Sequence, residues 1–233
     1  MMYAFASRLD CTVWDEPFYA HYLSTSGIRH PVNDEIIAAG ETDYDKVVER
    51  CLARPDASTP VFYQKQMTHH MLSGQDWRWC LDITNVFLIR APERVLASYS
   101  AKREDVTLAD IGFERQLELF NMVADHQGYA PGVVDCEDIL SNPKISLKLL
   151  CNAIGIGFDP AMLAWPAGPK PYDGVWAKHW YNAVWKSTGF ADPKTDYPAL
   201  DGDLARIAEQ AQPIYDTLRP YRLTPESETA PAN

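Results

Sequence analysis

One stretch decides the fold: residues 86–99, which read Val86-Phe-Leu-Ile-Arg90-Ala-Pro-Glu-Arg-Val-Leu-Ala-Ser98-Tyr99. The apolar start is typical of a buried strand, and the proline two residues after Arg90 favours a turn that opens a helix. The strand would end in a fixed cation, the helix start would supply unpaired N–H groups, and Ser98 would add a hydroxyl donor. The stretch therefore predicts a site for a phosphate group.

The same alternation of short apolar runs and helical patterns continues on both sides of this stretch. The predicted strands are Cys11–Trp14, Val61–Tyr63, Asn85–Ile89 and Val133–Asp135. The predicted helices include Tyr44–Leu52, Thr107–Asp125, Pro143–Ile154, Trp176–Ser187 and Leu204–Leu218. Thr107 and Asp110 are spaced as a capping box, and Asn142 stands where an N-cap is expected. Strands that alternate with helices predict a three-layer α/β/α fold with a parallel sheet.

Basic side chains follow two of the predicted strands. Lys65 and Arg90 both fall at or just past the end of a strand, and His69 and His70 come shortly after Lys65. Ligands of parallel α/β sheets bind at the carboxyl ends of the strands. These positions are therefore candidate binding and catalytic residues.

Composition narrows the classes of partner. The 233 residues are 46% hydrophobic and carry a formal net charge of -11, which argues against nucleic-acid binding because phosphate backbones attract basic surfaces. The five cysteines are odd in number and contain no CxxC, a pattern that favours reduced thiols in a cytoplasmic protein and argues against a zinc site. No apolar run is long enough to predict a membrane span. We expect a single domain over residues 1–223 and a disordered tail over 224–233.

Several segments resemble the sulfotransferase family, whose members are built on a P-loop-NTPase-like sheet and use 3′-phosphoadenosine 5′-phosphosulfate. Residues 87–99 are similar to the family's 3′-phosphate motif, an arginine after a strand with a serine eight residues on. Residues 134–143, Val134-Asp-Cys-Glu-Asp-Ile-Leu-Ser-Asn-Pro143, followed by 149–159, resemble its strand, acidic pair, leucine, proline, helix and glycine segment. Residues 14–18, 63–70 and 174–190 are similar to a bacterial branch of the family.

The resemblance implies roles for particular residues. Arg90 and Ser98 would bind the 3′-phosphate of the co-substrate, and Lys65 would offset charge that grows on the leaving phosphate bridge. His69 or His70 would be the base that deprotonates the acceptor, and the sequence leaves the choice between them open. No metal is required for such a transfer, because fixed cations and helix N-termini can carry the charge.

The segment that the family closes over its nucleotide would here contain Trp176 and Lys178, as an adenine-stacking indole and a second phosphate ligand.

Ordinary structural roles compete with these assignments. Arg90 could form a strand-end salt bridge, and Trp176 could belong to the core, where tryptophans at helical spacing are common. Asp15 and Glu16 could orient an acceptor hydroxyl or amine, or could cap the start of a helix.

One departure from the family bears on activity. The family's 5′-phosphosulfate loop is a Ser/Thr-rich, basic turn before the first helix, whereas this sequence opens on a helical pattern at residues 1–8, so we expect the first strand and that loop to be missing.

The sequence therefore predicts a sulfotransferase that modifies a hydroxyl or amine of a small acceptor. An N-terminally truncated or inactive nucleotide-binding relative is an alternative. A P-loop kinase-like phosphotransferase is another, although no GxxxxGK[ST] turn occurs in the sequence. The oligomeric state stays open.

Overall fold

The computed structural model of the chain describes residues 1–101, 105–193 and 199–225. The predicted disordered tail lies outside the described residues from position 226 onward. In the first part of the chain the elements are α1 (Met2–Ala6), β1 (Cys11–Asp15), α2 (Tyr19–Ser26), α3 (Asn33–Ala39), α4 (Tyr44–Cys51) and β2 (Val61–Lys65). They are followed by β3 (Val86–Ile89), α5 (Pro92–Tyr99), α6 (Phe113–Gln127), β4 (Gly132–Asp135), α7 (Cys136–Ser141) and α8 (Pro143–Ala153). The last helices are α9 (Ala177–Trp180), α10 (Asn182–Lys186) and α11 (Gly202–Leu218).

The strands are parallel, which confirms the α/β class. β1 pairs with β2 in a register that sets Asp15 opposite Lys65, and β3 pairs with β4 so that Ile89 lies opposite Asp135. Each pair forms a two-stranded sheet. The four predicted strands are therefore present, within two residues of their predicted bounds.

The chain divides into two compact units. The first unit comprises residues 1–79 and 159–191, and the second comprises residues 80–158 and 192–233. The first unit contains the β1–β2 sheet, and the second contains the β3–β4 sheet. The expectation of a single domain over 1–223 stays a prediction.

The first unit has an aromatic core built on α2. Tyr19 and Tyr22 of this helix are buried together with Leu23, and the Trp176 ring packs edge-on against Tyr19 with centroids 5.1 Å apart. A polar anchor ties α1 to the later part of the unit, because the Tyr3 hydroxyl donates to both carboxylate oxygens of Asp173, at 2.7 and 2.8 Å.

Gly174 lies against this core, and Gly174→Ala is expected to lower the free energy of unfolding by about 1–3 kcal/mol. A Cβ at this position would overlap the ring of Trp176, which is buried and packs edge-on against Tyr19. Gly157→Ala is the matched control, since nothing lies within 4 Å of its Cβ position. Urea denaturation of both variants measures the difference, and equal free energies would contradict the overlap.

In the second unit, Leu223, near the end of the described chain, contacts β4: its N–H donates to the Val133 carbonyl at 2.9 Å. Asn142 caps α8 by accepting from the Ile145 N–H at 3.1 Å, as predicted. The predicted helix over Thr107–Asp125 is wrong in its first part. Thr107 and Asp110 do form the reciprocal capping bonds, but they close a short 3₁₀ turn.

The reason is Gly112, whose left-handed φ of 68° ends that turn before α6 begins at Phe113. The predicted helix over Trp176–Ser187 is likewise divided into α9 and α10. Among the described residues, no helix combines the length and the apolar character that a membrane span requires.

Candidate functional site

Lys65 ends β2 and is held by three oxygen atoms from distant parts of the first unit. Its Nζ lies 2.5 Å from Glu16 Oε1, 3.2 Å from Asp15 Oδ1 and 2.6 Å from the Tyr181 hydroxyl. We name these four residues, Asp15, Glu16, Lys65 and Tyr181, the Lys65 cluster. The side chain of Lys65 keeps 27% of its surface exposed, whereas those of Asp15 and Glu16 keep 1% and 9%. Lys65 is therefore the most exposed of these three charged side chains.

The two acidic residues are placed by the end of β1. Asp15 is the last residue of the strand, and parallel pairing sets it opposite Lys65. Glu16 follows with a φ of 45°, a left-handed conformation that costs free energy in a residue other than glycine. Its N–H donates to the Lys65 carbonyl at 2.9 Å, so both its backbone and its side chain are tied to the same residue. Strain of this kind is characteristic of functional sites.

Charge in the Lys65 cluster is unbalanced, since two carboxylates face one ammonium. Burial raises the pKa of Glu16 above its usual range, and the neighbouring Asp15 raises it further, against the opposing effect of Lys65. Burial by itself would lower the pKa of Lys65, but Glu16 and Asp15 raise it well above its usual value. Lys65 is consequently a permanent cation at the carboxyl edge of β2.

His69 and His70 lie on the short 3₁₀ turn Thr68–His70, just beyond Lys65. His70 is buried, and its ring stacks on Tyr19 at a centroid distance of 4.3 Å. Its Nδ1 has no hydrogen-bond partner among the described residues and lies 4.0 Å from Glu16 Oε2. Burial lowers the pKa of His70 well below its usual range. His69 is half-buried, and its ring lies edge-on to that of His70, so only His69 keeps substantial access to solvent.

The two residues predicted to close over a nucleotide have structural partners. Trp176 is only 8% exposed and belongs to the aromatic core. Lys178 is exposed on α9 and forms an ion pair with Glu35 of α3. Their roles in nucleotide binding stay predictions.

The second unit carries the predicted phosphate site at the carboxyl end of β3. Arg90 follows the strand, and α5 begins at Pro92, which is the first helical residue as predicted. Arg94 in the first turn pairs with Glu137 of α7, and Arg90 Nε lies 4.0 Å from the other oxygen of the same carboxylate. Two guanidinium groups thus lie beside one carboxylate near the start of a helix, and that they bind a phosphate stays a prediction.

Ser98 lies on the exposed surface of the second turn of α5. That Arg90 and Ser98 bind the same phosphate stays a prediction. Among residues 1–101, 105–193 and 199–225, no three or more His, Cys, Asp or Glu side chains are grouped so that they could hold a metal ion.

A family described as "Sulfotransferase domain" matches residues 1–221 of the chain. The chain belongs to this sulfotransferase-domain family. Two curated proteins of Arabidopsis thaliana are also similar to it. Branched-chain-amino-acid aminotransferase-like protein 2 is 32% identical over 222 residues, and protein 1 of the same name is 33% identical over 224 residues. These matches cover 94% and 95% of the chain, which spans 39% of the length of each relative.

A solved sulfotransferase domain from the curacin biosynthetic pathway shares 15% sequence identity with the chain, with a TM-score of 0.37, over 82% of this chain and 76% of that one.

Sequence reasoning did not identify two residues of the candidate site in this sulfotransferase domain. Tyr181 reaches Lys65 across 116 residues, and no local pattern distinguishes its hydroxyl from that of any other tyrosine. Glu137 stands in the acidic segment that resembles the family, but only the structure shows that its carboxylate lies against Arg94.

Proposed function

We propose that this sulfotransferase domain moves a sulfuryl group from 3′-phosphoadenosine 5′-phosphosulfate to a hydroxyl or amine of a small acceptor. The observation that carries the proposal is the pair of guanidinium groups, Arg90 and Arg94, at the carboxyl end of β3 and the start of α5. In an acidic chain, such a local concentration of fixed cations is suited to a small anionic ligand and not to an extended polyanion. The family match over residues 1–221 supports the transferase reading.

Each residue then has a defined task. Arg90 and Ser98 bind the 3′-phosphate, and Glu137 holds the guanidinium groups in place until that phosphate arrives. Lys65 offsets the negative charge that develops on the bridging oxygen as the sulfuryl group departs. Because Lys65 keeps its proton across the neutral range, this support does not depend on pH.

His69 is the better candidate for the base. A general base must reach the proton that it removes, and His69 is half-buried whereas His70 is enclosed by tyrosines. The lowered pKa of His70 also makes it a weak base. We therefore assign His70 to packing beside the acceptor and His69 to proton transfer.

Ligand binding tests the nucleotide assignment before any acceptor is known. Adenosine 3′,5′-bisphosphate is expected to raise the melting temperature of the full-length protein more than ATP does at equal concentration. A ligand at one hundred times its Kd stabilises the folded state by about 2.7 kcal/mol. Preference for ATP would instead favour a kinase-like phosphotransferase, and binding of the bisphosphate without any turnover would identify an inactive nucleotide-binding relative.

Arg90→Ala is expected to weaken bisphosphate binding by about 10- to 150-fold, because a charge-assisted hydrogen bond to the phosphate is lost. Isothermal titration calorimetry measures the change. Arg206→Ala is the control, since Arg206 lies on the surface of α11 and pairs with Asp203 in the preceding turn. Equal affinities for the two variants would refute the role of Arg90.

A further inference from the structure

Tyr181 joins the Lys65 cluster from a segment that lies 116 residues after Lys65 in the chain. It lies between α9 and α10, where it ends one short helix and precedes the next. Its side chain is buried, and its hydroxyl donates to the carboxylate of Asp15, with distances of 2.8 and 2.7 Å to the two oxygens. The same hydroxyl accepts from Lys65 Nζ at 2.6 Å.

The direction of these hydrogen bonds is determined by chemistry. An ionised carboxylate can only accept, and an ammonium can only donate. The Tyr181 hydroxyl must therefore give its hydrogen to Asp15 and offer a lone pair to Lys65. Burial raises the pKa of Tyr181, so the hydroxyl keeps its proton and can continue to donate.

This arrangement affects where the ammonium of Lys65 is held. The ammonium has three N–H donors, and the three close oxygens come from Asp15, Glu16 and Tyr181. Asp15 already accepts from the Tyr181 hydroxyl, and it stands farther from Lys65 Nζ, at 3.2 Å, than Glu16 does, at 2.5 Å. Without the hydroxyl, Asp15 would have Lys65 as its nearest donor and would draw the ammonium towards itself, away from its present position.

We propose that Tyr181 is a positioning residue whose hydroxyl, oriented by Asp15, holds the Lys65 ammonium in place at the carboxyl edge of β2. The inference rests on the proposed function for its effect on transfer, because Lys65 acts on charge that appears only as the sulfuryl group leaves. A displaced ammonium would stabilise that transition state less well while binding of the donor changed little.

The variant Tyr181→Phe, which removes only the hydroxyl, tests the proposal. It is expected to lower kcat by about 10- to 100-fold, with the KM for the donor changed by less than about threefold. Tyr215→Phe is the matched control, since Tyr215 is equally buried and donates to Asp135 at the end of β4 at 2.6 Å. It removes a comparable hydrogen bond without touching Lys65, and kcat should stay at the wild-type value.

A second readout does not depend on turnover. The Lys65 ammonium, held by three partners, should give a slowly exchanging ¹⁵N NMR signal, which is assigned by its loss in Lys65→Met. This signal should broaden or shift in Tyr181→Phe and stay unchanged in Tyr215→Phe. An unchanged signal in Tyr181→Phe would overturn the proposal, as would an unchanged kcat. If the wild-type protein shows no turnover on any acceptor, the proposed function is refuted. The NMR comparison alone would then decide whether Tyr181 holds Lys65.

Discussion

The Lys65→Met variant is expected to unfold with a free energy about 3–5 kcal/mol below that of the wild type, the cost of removing one partner from a buried ion pair. Methionine replaces the apolar stem of lysine but lacks the ammonium, so Asp15 and Glu16 lose the cation that Lys65 now supplies at 3.2 and 2.5 Å. Their carboxylates would then repel each other in a buried environment. Urea denaturation of the wild type and the variant measures the difference.

The deficit should depend on pH in a defined direction. A carboxyl group whose pKa is raised in the folded state favours folding below its unfolded-state pKa and disfavours it as the pH rises through the folded-state value. Glu16 already has a raised pKa, and loss of Lys65 would raise it further. The deficit should therefore be largest near about pH 8 and should shrink towards about pH 5.

Lys46→Met provides the control, because Lys46 is exposed on α4 and its nearest acidic oxygen is 3.9 Å away. A deficit that matched the control, or that grew on acidification, would show that Lys65 does not neutralise the two carboxylates.

The second large effect is expected in turnover. His69→Ala should lower kcat by about 10²- to 10⁴-fold, the usual contribution of a general base, while adenosine 3′,5′-bisphosphate binds as it does to the wild type. Initial rates of bisphosphate release measure it, with a hydroxyl or amine acceptor found by screening simple alcohols, phenols and amines. The fall of kcat/KM on the acid side of the pH profile, which reports protonation of the base, should disappear in this variant.

His70→Ala should behave differently. Its main effect should be on stability, because removal of the ring leaves a cavity between Tyr19 and Tyr22. The control is His126→Ala, because His126 is exposed at the end of α6. Neither turnover nor stability should change in this variant. Loss of turnover in His70→Ala, with His69→Ala active, would transfer the role of base to His70.

Local features of the fold could be predicted from the sequence because local interactions decide them. The apolar run before Arg90 forms β3, and Pro92 begins α5, since an apolar run and a proline at the start of a helix both depend on neighbouring residues alone. Asn142 caps α8 for the same reason. The prediction that β3 is buried is wrong in part, because Val86 and Leu88 are exposed. The prediction failed where one residue interrupts a pattern, as Gly112 does when its left-handed backbone separates a 3₁₀ turn from α6.

The candidate site was predictable only in part. Lys65 and Arg90 could be placed at strand ends, because strand boundaries and the rule for parallel sheets require nothing beyond sequence patterns. That His69 is half-buried while His70 is enclosed could not be predicted, since adjacent residues of one turn are distinguished only by what packs against them.

By itself, the sequence determined the α/β class, the parallel strands and the cations at the strand ends, all of which follow from periodicity, capping and turn residues over short distances. Only the tertiary structure decided which groups face those cations. Tyr181, Asp15 and Glu16 reach Lys65 from segments as far as 116 residues away, and Glu137 reaches Arg94 from another helix. Such partners are chosen by the packing of the whole chain, because a hydrogen bond or an ion pair depends on distance in space and leaves no periodic trace along the sequence.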